Sequence, residues 1–260
     1  MDKVDIYAIM VIYNKKLGKS RTYECLKGQG IKIVVCDNST GDYDNEAAAK
    51  LDGVGYVSME GNKGLACAYN EGLDFIHREY TVTDRDYVCL FDDDTYVPDE
   101  YFDLVRQSSE DILLPVVTDG RSIMSPVLMK KDIVKRIESK AKIFETDSRL
   151  LSGINSGMAV CAGVFEKYRY RREMFLDYID HIFIRHMREC EKYPKVLDVE
   201  LVQRFSAIDD DKKAAVARFV IQKKDLKIFY KDNKAGYYYV VIRKHIKLAL
   251  KYKDLRLLFC

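Results

Sequence analysis

Over the first 115 residues, short apolar runs alternate with longer amphipathic stretches, the pattern of strands joined by crossover helices. The runs predict strands over Ile6 to Tyr13, Ile31 to Cys36, Gly55 to Ser58, Tyr87 to Phe91 and Ile112 to Val116. Helical spacing falls between them, over Lys19 to Lys27, Glu46 to Leu51, Leu65 to Glu79 and Asp99 to Gln107. A strand as uniformly apolar as Tyr87-Val88-Cys89-Leu90-Phe91 predicts burial on both faces, hence a mainly parallel sheet flanked by helices. Past Pro115 the alternation loosens. A strand is expected over Ser122 to Met129, a helix over Lys130 to Lys140, and a loop over Ser152 to Gly157 that enters the apolar run Met158 to Val164. A further helix is expected over Tyr178 to Lys192, and helical spacing resumes from Lys212.

Composition refines this α/β picture. At 260 residues and 48% hydrophobic content the chain can bury one substantial core. A net charge of +2 points away from disorder and from nucleic-acid binding. Charge is nevertheless uneven: residues 212–260 carry 14 Lys and Arg against three Asp and Glu, leaving 29 against 38 for the rest. The expected organisation is a catalytic body over 1–211, with halves 1–116 and 117–211, and a basic helical extension over 212–260. Seven cysteines without a C-x-x-C pair, mostly in apolar runs, suit a reducing, cytoplasmic setting. The N-terminus shows no secretory pattern, and no window is long and apolar enough for a membrane span.

In a parallel sheet, ligands bind beyond the carboxyl ends of the strands, so the polar residues there carry the chemistry. Asp92, Asp93 and Asp94 end the most apolar strand, and three adjacent carboxylates repel unless a cation offsets them. Mg²⁺ or Mn²⁺, held by one or two carboxylates and a substrate phosphate, is the fitting partner. A solvated acidic turn is the competing reading. Tyr13 and Asn14 follow the first strand and Asp37 the second. Asn62, Lys63 and Gly64, with Ala66, Ala68, Asn70 and Gly72, keep one face small enough for a diphosphate to approach.

Together these segments resemble glycosyltransferase family 2, of GT-A fold, in order and spacing. The resemblance runs through Tyr13-Asn14, Val35 to Ser39, Asn62 to Gly72 and Phe91 to Thr95, then Leu114-Pro115, Asn155 to Met158 and Phe175 to Asp180. Within the family it is strongest toward bacterial rhamnosyltransferases and related polysaccharide enzymes. It implies a nucleotide-sugar pocket at Tyr13, Asn14, Asp37, Asn62, Lys63, Gly64, Asn70, Asp92 and Asp93. It further implies metal ligation by Asp94 with Asp92, Asp180 as the base of an inverting transfer, and Ser156, Gly157 and Asp177 on the acceptor side. The implied donor is dTDP-rhamnose or a UDP-sugar, and the implied acceptor a saccharide or lipid-linked saccharide. Asp177 and Asp180, three apart, are expected on one face of a continuous helix, where mutual repulsion would raise one pKa. The chain departs from the family at Tyr168 to Arg172, where a glycine is expected, and at Arg185, one position early, with His186 in the usual arginine place.

Residues 237 to 260 interleave apolar and basic positions, as an interfacial helix at the inner face of the cell membrane would, or one docked on the body or on a second copy of the chain. Two other activities fit less well. A haloacid-dehalogenase-type phosphohydrolase needs Thr or Val where Tyr96 stands, and a sugar-nucleotide nucleotidyltransferase needs a Gly-rich, Arg-containing loop after the first strand. A non-catalytic nucleotide-sugar-binding protein is the third alternative.

Overall fold

The computed structural model describes residues 4–203 and 211–258. Cys260 and Phe259, counted above among the thiols and the tail's apolar set, lie outside the described residues. The first half follows the predicted alternation: β1 (Ile6–Ile12), α1 (Arg21–Leu26), β2 (Lys32–Asp37), α2 (Asn45–Leu51), β3 (Gly55–Ser58), α3 (Leu65–Glu79), β4 (Tyr87–Asp92), β5 (Thr95–Tyr96), α4 (Glu100–Arg106) and β6 (Ile112–Thr118). β3, β2, β1 and β4 are parallel neighbours in that order. β1 is buried on both faces, as its unbroken apolar run requires. Tyr7, Ile9 and Val11 enter one apolar cluster, and Ile6, Ala8, Met10 and Ile12 the other. Each such fully buried aliphatic side chain contributes about 1.5–3 kcal/mol.

The second half of the sheet departs from the expected parallel arrangement. β7 (Ile123–Ser125) turns back antiparallel onto β6. Pro126, which has no N–H for a ladder, separates β7 from β8 (Val127–Lys130), so the predicted strand over Ser122 to Met129 divides between two sheets. The helix expected over Lys130 to Lys140 is not formed. β8 instead turns through Lys131 and Asp132, at φ 49° and 63°, into β9 (Ile133–Arg136), with Met129 opposite Val134 and Lys130 opposite Ile133. Two consecutive left-handed residues make a hairpin turn that suits strand twist, and β-branched Ile133 and Val134 favour the strand. Lys130, Lys131 and Lys135 are exposed.

α5 (Lys140–Glu145), β10 (Leu151–Ser152) and β11 (Met158–Cys161) follow, with β11 inserted antiparallel between β4 and β6. α6 (Ala162–Phe165) and α7 (Ile179–Glu189) lead to β12 (Lys195–Gln203), a strand absent from the sequence reading although Leu197, Val199 and Leu201 are buried in strict alternation. β12 runs parallel to β6 and pairs its end with β5, which puts Gln203 opposite Thr95. The basic segment forms α8 (Lys212–Phe229) and α9 (Lys234–Tyr252). Phe219, Leu226, Phe229, Val241 and Leu248 of these helices enter the same apolar cluster as Tyr7 and Ile9.

Candidate active site

The strand ends converge as the sequence spacing requires. Tyr13 is half exposed beyond β1, and Asn14, at φ 49°, accepts from the Thr40 backbone N–H at 2.9 Å. Asp37 ends β2 with its carboxylate accepting from Asn45 at 2.8 Å, the Tyr56 hydroxyl at 3.1 Å and the Ser39 N–H at 2.8 Å. Asn38 ties that edge to the next loop: its oxygen accepts from Lys63 N–H and its amide donates to the Gly64 carbonyl, both at 3.2 Å. Asn62 accepts from Gly64 N–H at 3.1 Å. Gly64 sits at φ 85°, and a Cβ there would lie 2.5 Å from the Phe175 carbonyl oxygen, so both backbone shape and space demand glycine. Asn70 lies on the buried side of α3, where its amide donates to the Tyr170 carbonyl at 2.8 Å and accepts from the Tyr170 N–H at 2.9 Å. It clamps the 168–172 segment to α3.

The three aspartates after β4 have distinct surroundings. Asp93 pairs with Lys15 at 2.7 Å. Asp92 and Asp94 share one donor, the Gln203 amide, at 2.8 and 3.1 Å. Burial, then the Asp94 charge, pushes the Asp92 carboxyl up to about 7, with Asp93 and Asp180 adding and Gln203 opposing. Burial raises Asp94 as well, against the Gln203 bond. Gln203 is 3% exposed, and its own carbonyl oxygen is buried without a hydrogen-bond partner among the described residues. Neither Gln203 nor Lys15 was singled out from sequence. The alternating apolar pattern of 197–201 is the signal that leads to Gln203.

A protonated Asp92 carries a pH signature. Unfolded, the carboxyl releases its proton near pH 3.9; folded, it keeps it to about 7. Between those values the folded state binds more protons, so stability falls as pH rises. Asp177, pushed up to about 6, acts in the same sense. Asp147 and Asp254, both held below the usual carboxylate range by their arginine partners, change nothing in this window. The urea midpoint of the metal-free protein should therefore drop from pH 5 to pH 7.5, and Asp92→Asn should remove most of the drop above pH 6. A flat wild-type profile would contradict this assignment.

Asp180 lies in the first turn of α7, with one oxygen accepting from His181 N–H at 2.7 Å. Its charge adds to the upward shifts that burial imposes on Asp92 and on the buried Tyr69 hydroxyl. Asp177 does not share its helix face. Tyr178, at φ 64°, breaks the chain before α7, and the Asp177 carboxylate turns to Arg218 of α8 at 3.0 Å. Its raised pKa comes from burial first, with Asp225 and Asp180 adding and Arg218 opposing, rather than from Asp180 repulsion on a shared helix. Ser156 is buried against Thr95 at 2.7 Å. Gly157, at φ 80°, donates to the Leu90 carbonyl at 2.7 Å, with no room for a Cβ against Leu201. The Arg-rich turn is largely consumed internally: Arg172 pairs with Glu71 at 3.0 Å and Arg169 with Asp74 at 3.5 Å. Arg185 stacks on Phe229 and donates to its carbonyl, a packing role.

Asp225 of α8 was likewise missed. Fully buried, it accepts the backbone N–H groups of Phe175, Leu176 and Asp177, each at 2.8 Å. Phe175 in turn accepts from Leu65 N–H at 2.7 Å, at the start of α3.

The sequence profile described as glycosyl transferase family 2 matches residues 7–169, more than half of the chain. The chain belongs to glycosyl transferase family 2. The family 2 enzyme is 25% identical over 190 residues to the dTDP-rhamnosyl transferase RfbF of Shigella flexneri, an alignment covering 68% of this chain and 60% of that one. It therefore spans less than two thirds of that relative's length. Among solved structures, glucosyl-3-phosphoglycerate synthase from Mycobacterium tuberculosis in complex with Mg²⁺ and uridine diphosphate superposes with a TM-score of 0.53 at 14% identity, covering 87% of this chain and 79% of that one. The same synthase with phosphoglyceric acid gives 0.52 at 13% identity, covering 87% and 80%. These likenesses show the GT-A fold for this family 2 chain.

Proposed function

We propose that this family 2 enzyme transfers a sugar, with inversion, from a nucleotide-diphosphate donor to a saccharide or lipid-linked saccharide in surface polysaccharide synthesis. A dTDP-rhamnose donor is favoured by the relative named a dTDP-rhamnosyl transferase, with a UDP-sugar as the alternative. The observation that carries this reading is the convergence of Asp92, Asp94 and Gln203 at the end of β4, where the Gln203 amide bridges the two carboxylates.

The donor set suits Mg²⁺ or Mn²⁺. Carboxylate and amide oxygens are hard ligands, both carboxylates are shifted upward in pKa, and the buried Gln203 oxygen lacks a partner among the described residues. Among the described residues no group of three or more His, Cys, Asp and Glu forms a ready metal site, so two carboxylates and the donor's own phosphates would have to complete it. Asp94 and Asp92 would hold the ion, which supplies positive charge against the departing nucleotide. Tyr13, Asn14 and Asp37 would receive the nucleoside, with the 62–64 loop passing beside the diphosphate. Asp180 takes the proton of the acceptor hydroxyl, which makes that oxygen the nucleophile. Ser156, Gly157 and Asp177 would border the acceptor. The acceptor reaches the protein either at the inner face of the cell membrane or from solution, with the exposed face of α9 as the surface that would meet a bilayer or a second copy.

Donor binding stabilises only the folded state, so thermal shifts against dTDP-, UDP- and GDP-sugars with Mn²⁺ identify the donor. One nucleotide class should raise Tm by several degrees, with the shift lost on adding a chelator and in Asp94→Ala. No shift with any nucleotide sugar, or release of pyrophosphate from a nucleoside triphosphate and a sugar phosphate, would overturn the reading.

A further inference from the structure

α9 is apolar on two sides. Its inner side, through Val241, Leu248 and Ala249, packs into the core. On the outer side Tyr238, Ile242, Ile246 and Leu250 recur every fourth residue and are 60%, 54%, 45% and 74% exposed. Residues four apart stack along one face of a helix, so these four form a continuous stripe about 18 Å long. One flank of the stripe carries exposed Arg243, Lys247 and Lys251. From Lys234 to Lys253 the chain has no Asp or Glu, and Asp254 beyond it is already paired with Lys212 and Arg256.

The stripe's first turn adjoins a second basic element. A cleft between α9 and the β8–β9 hairpin is walled by Leu128, Ile133 and Tyr239 and rimmed by exposed Lys130, Lys131 and Lys135. An apolar row beside cations on the helix, continuing into lysines around an apolar cleft, matches the layering of a bilayer surface with acyl chains below and anionic headgroups above. A second copy fits this face poorly, since a symmetric pairing would set Arg243 and Lys247 against cations without any acid on the helix to offset them.

We propose that the outer face of α9, with the lysines of the β8–β9 hairpin, is a docking surface for an anionic lipid bilayer. The helix lies along the surface: among the described residues no helix is long and apolar enough to cross a membrane. Docking there would hold the protein by α9 while α8, which packs beneath it through Phe219 against His245, carries the Arg218 and Asp225 contacts to the loop before Asp180. The binding itself does not depend on the donor or on catalysis, so it can be tested apart from the proposed function.

The test is flotation of the full chain with phosphatidylglycerol-containing vesicles and with pure phosphatidylcholine vesicles, in the absence of any nucleotide sugar. Binding to the anionic vesicles should exceed that to neutral ones by at least about tenfold and weaken in about 0.5 M salt, where charges are screened. The double variant Ile242→Asp, Ile246→Asp should lose about tenfold or more of that binding. Both sites are solvent-exposed, so its thermal melt should match wild type. A Lys130→Glu, Lys135→Glu variant should lose binding to anionic vesicles selectively. Equal flotation of wild type and the Ile variant, or no preference for anionic vesicles, would overturn the proposal. So would a concentration-dependent dimer that the Ile variant abolishes, because a second copy would then occupy the stripe.

Discussion

Asp180→Asn should lower the rate of sugar transfer by about 10²–10⁴-fold while leaving donor binding intact. The expectation rests on separating what the side chain does for the fold from what it does chemically. Its structural duty is one hydrogen bond, accepted from the His181 N–H, and an asparagine carbonyl can accept the same bond. What the amide cannot do is take a proton from an acceptor hydroxyl. The substitution therefore removes the proposed base and keeps the bond to His181 N–H. Thermal shift with donor and Mn²⁺ should match wild type, because Asp37, the 62–64 loop and the Asp92–Gln203–Asp94 set lie on other elements. Single-turnover transfer, with product stereochemistry read by NMR on the wild type, checks both parts. A wild-type rate in the variant, or a product that retains the donor's anomeric configuration, would remove Asp180 from the role of base.

How much of this was readable in advance differs by element, for physical reasons. β1, β2 and β4 carry apolar runs that lead directly into polar residues, so burial on both faces and the position of the strand ends were written into adjacent positions. Asp37 and Asp92 through Asp94 follow those ends directly, which is why they could be picked out. Gln203 could not, because its place beside Asp92 is made by β12 pairing with β6 and β5, contacts that join residues about a hundred positions apart. The hairpin over residues 127–136 was misread because lysine spacing imitates a helix face, while the deciding property, left-handed backbone at Lys131 and Asp132, leaves little trace in residue type. Asp177 was misplaced for a related reason: a helix start fixed by the backbone of Tyr178 falls between it and Asp180.

Asp225 is the sharpest such case, and it carries the largest expected effect on stability. In sequence it is one acid in a lysine-rich helix, where a solvated residue is the natural expectation. In the fold it is buried, and its two oxygens accept three backbone N–H groups from Phe175, Leu176 and Asp177. Burying a carboxylate costs desolvation, so its net contribution is smaller than the cost of truncating it. Asp225→Ala leaves three partly buried N–H groups without their acceptor and should destabilise the protein by about 2–4 kcal/mol, read as a lower urea midpoint. Asp225→Asn keeps one acceptor oxygen but turns an NH₂ toward backbone N–H groups, and should fall between Ala and wild type. The loop that Asp225 holds also supports the start of α3, beside the proposed donor loop 62–64: the Phe175 carbonyl accepts from Leu65 N–H, and a Cβ on Gly64 would collide with it. Asp180 follows Phe175 by five residues. The Asn variant, still folded, should therefore show a raised donor KM together with a lowered kcat, whereas an equally destabilising cavity in the opposite cluster, such as Leu26→Ala, should leave both near wild type. An Asp225→Ala protein with an unchanged urea midpoint would show that the three hydrogen bonds do not hold the loop, and an Asn variant with unaltered kinetics would confine Asp225 to folding alone.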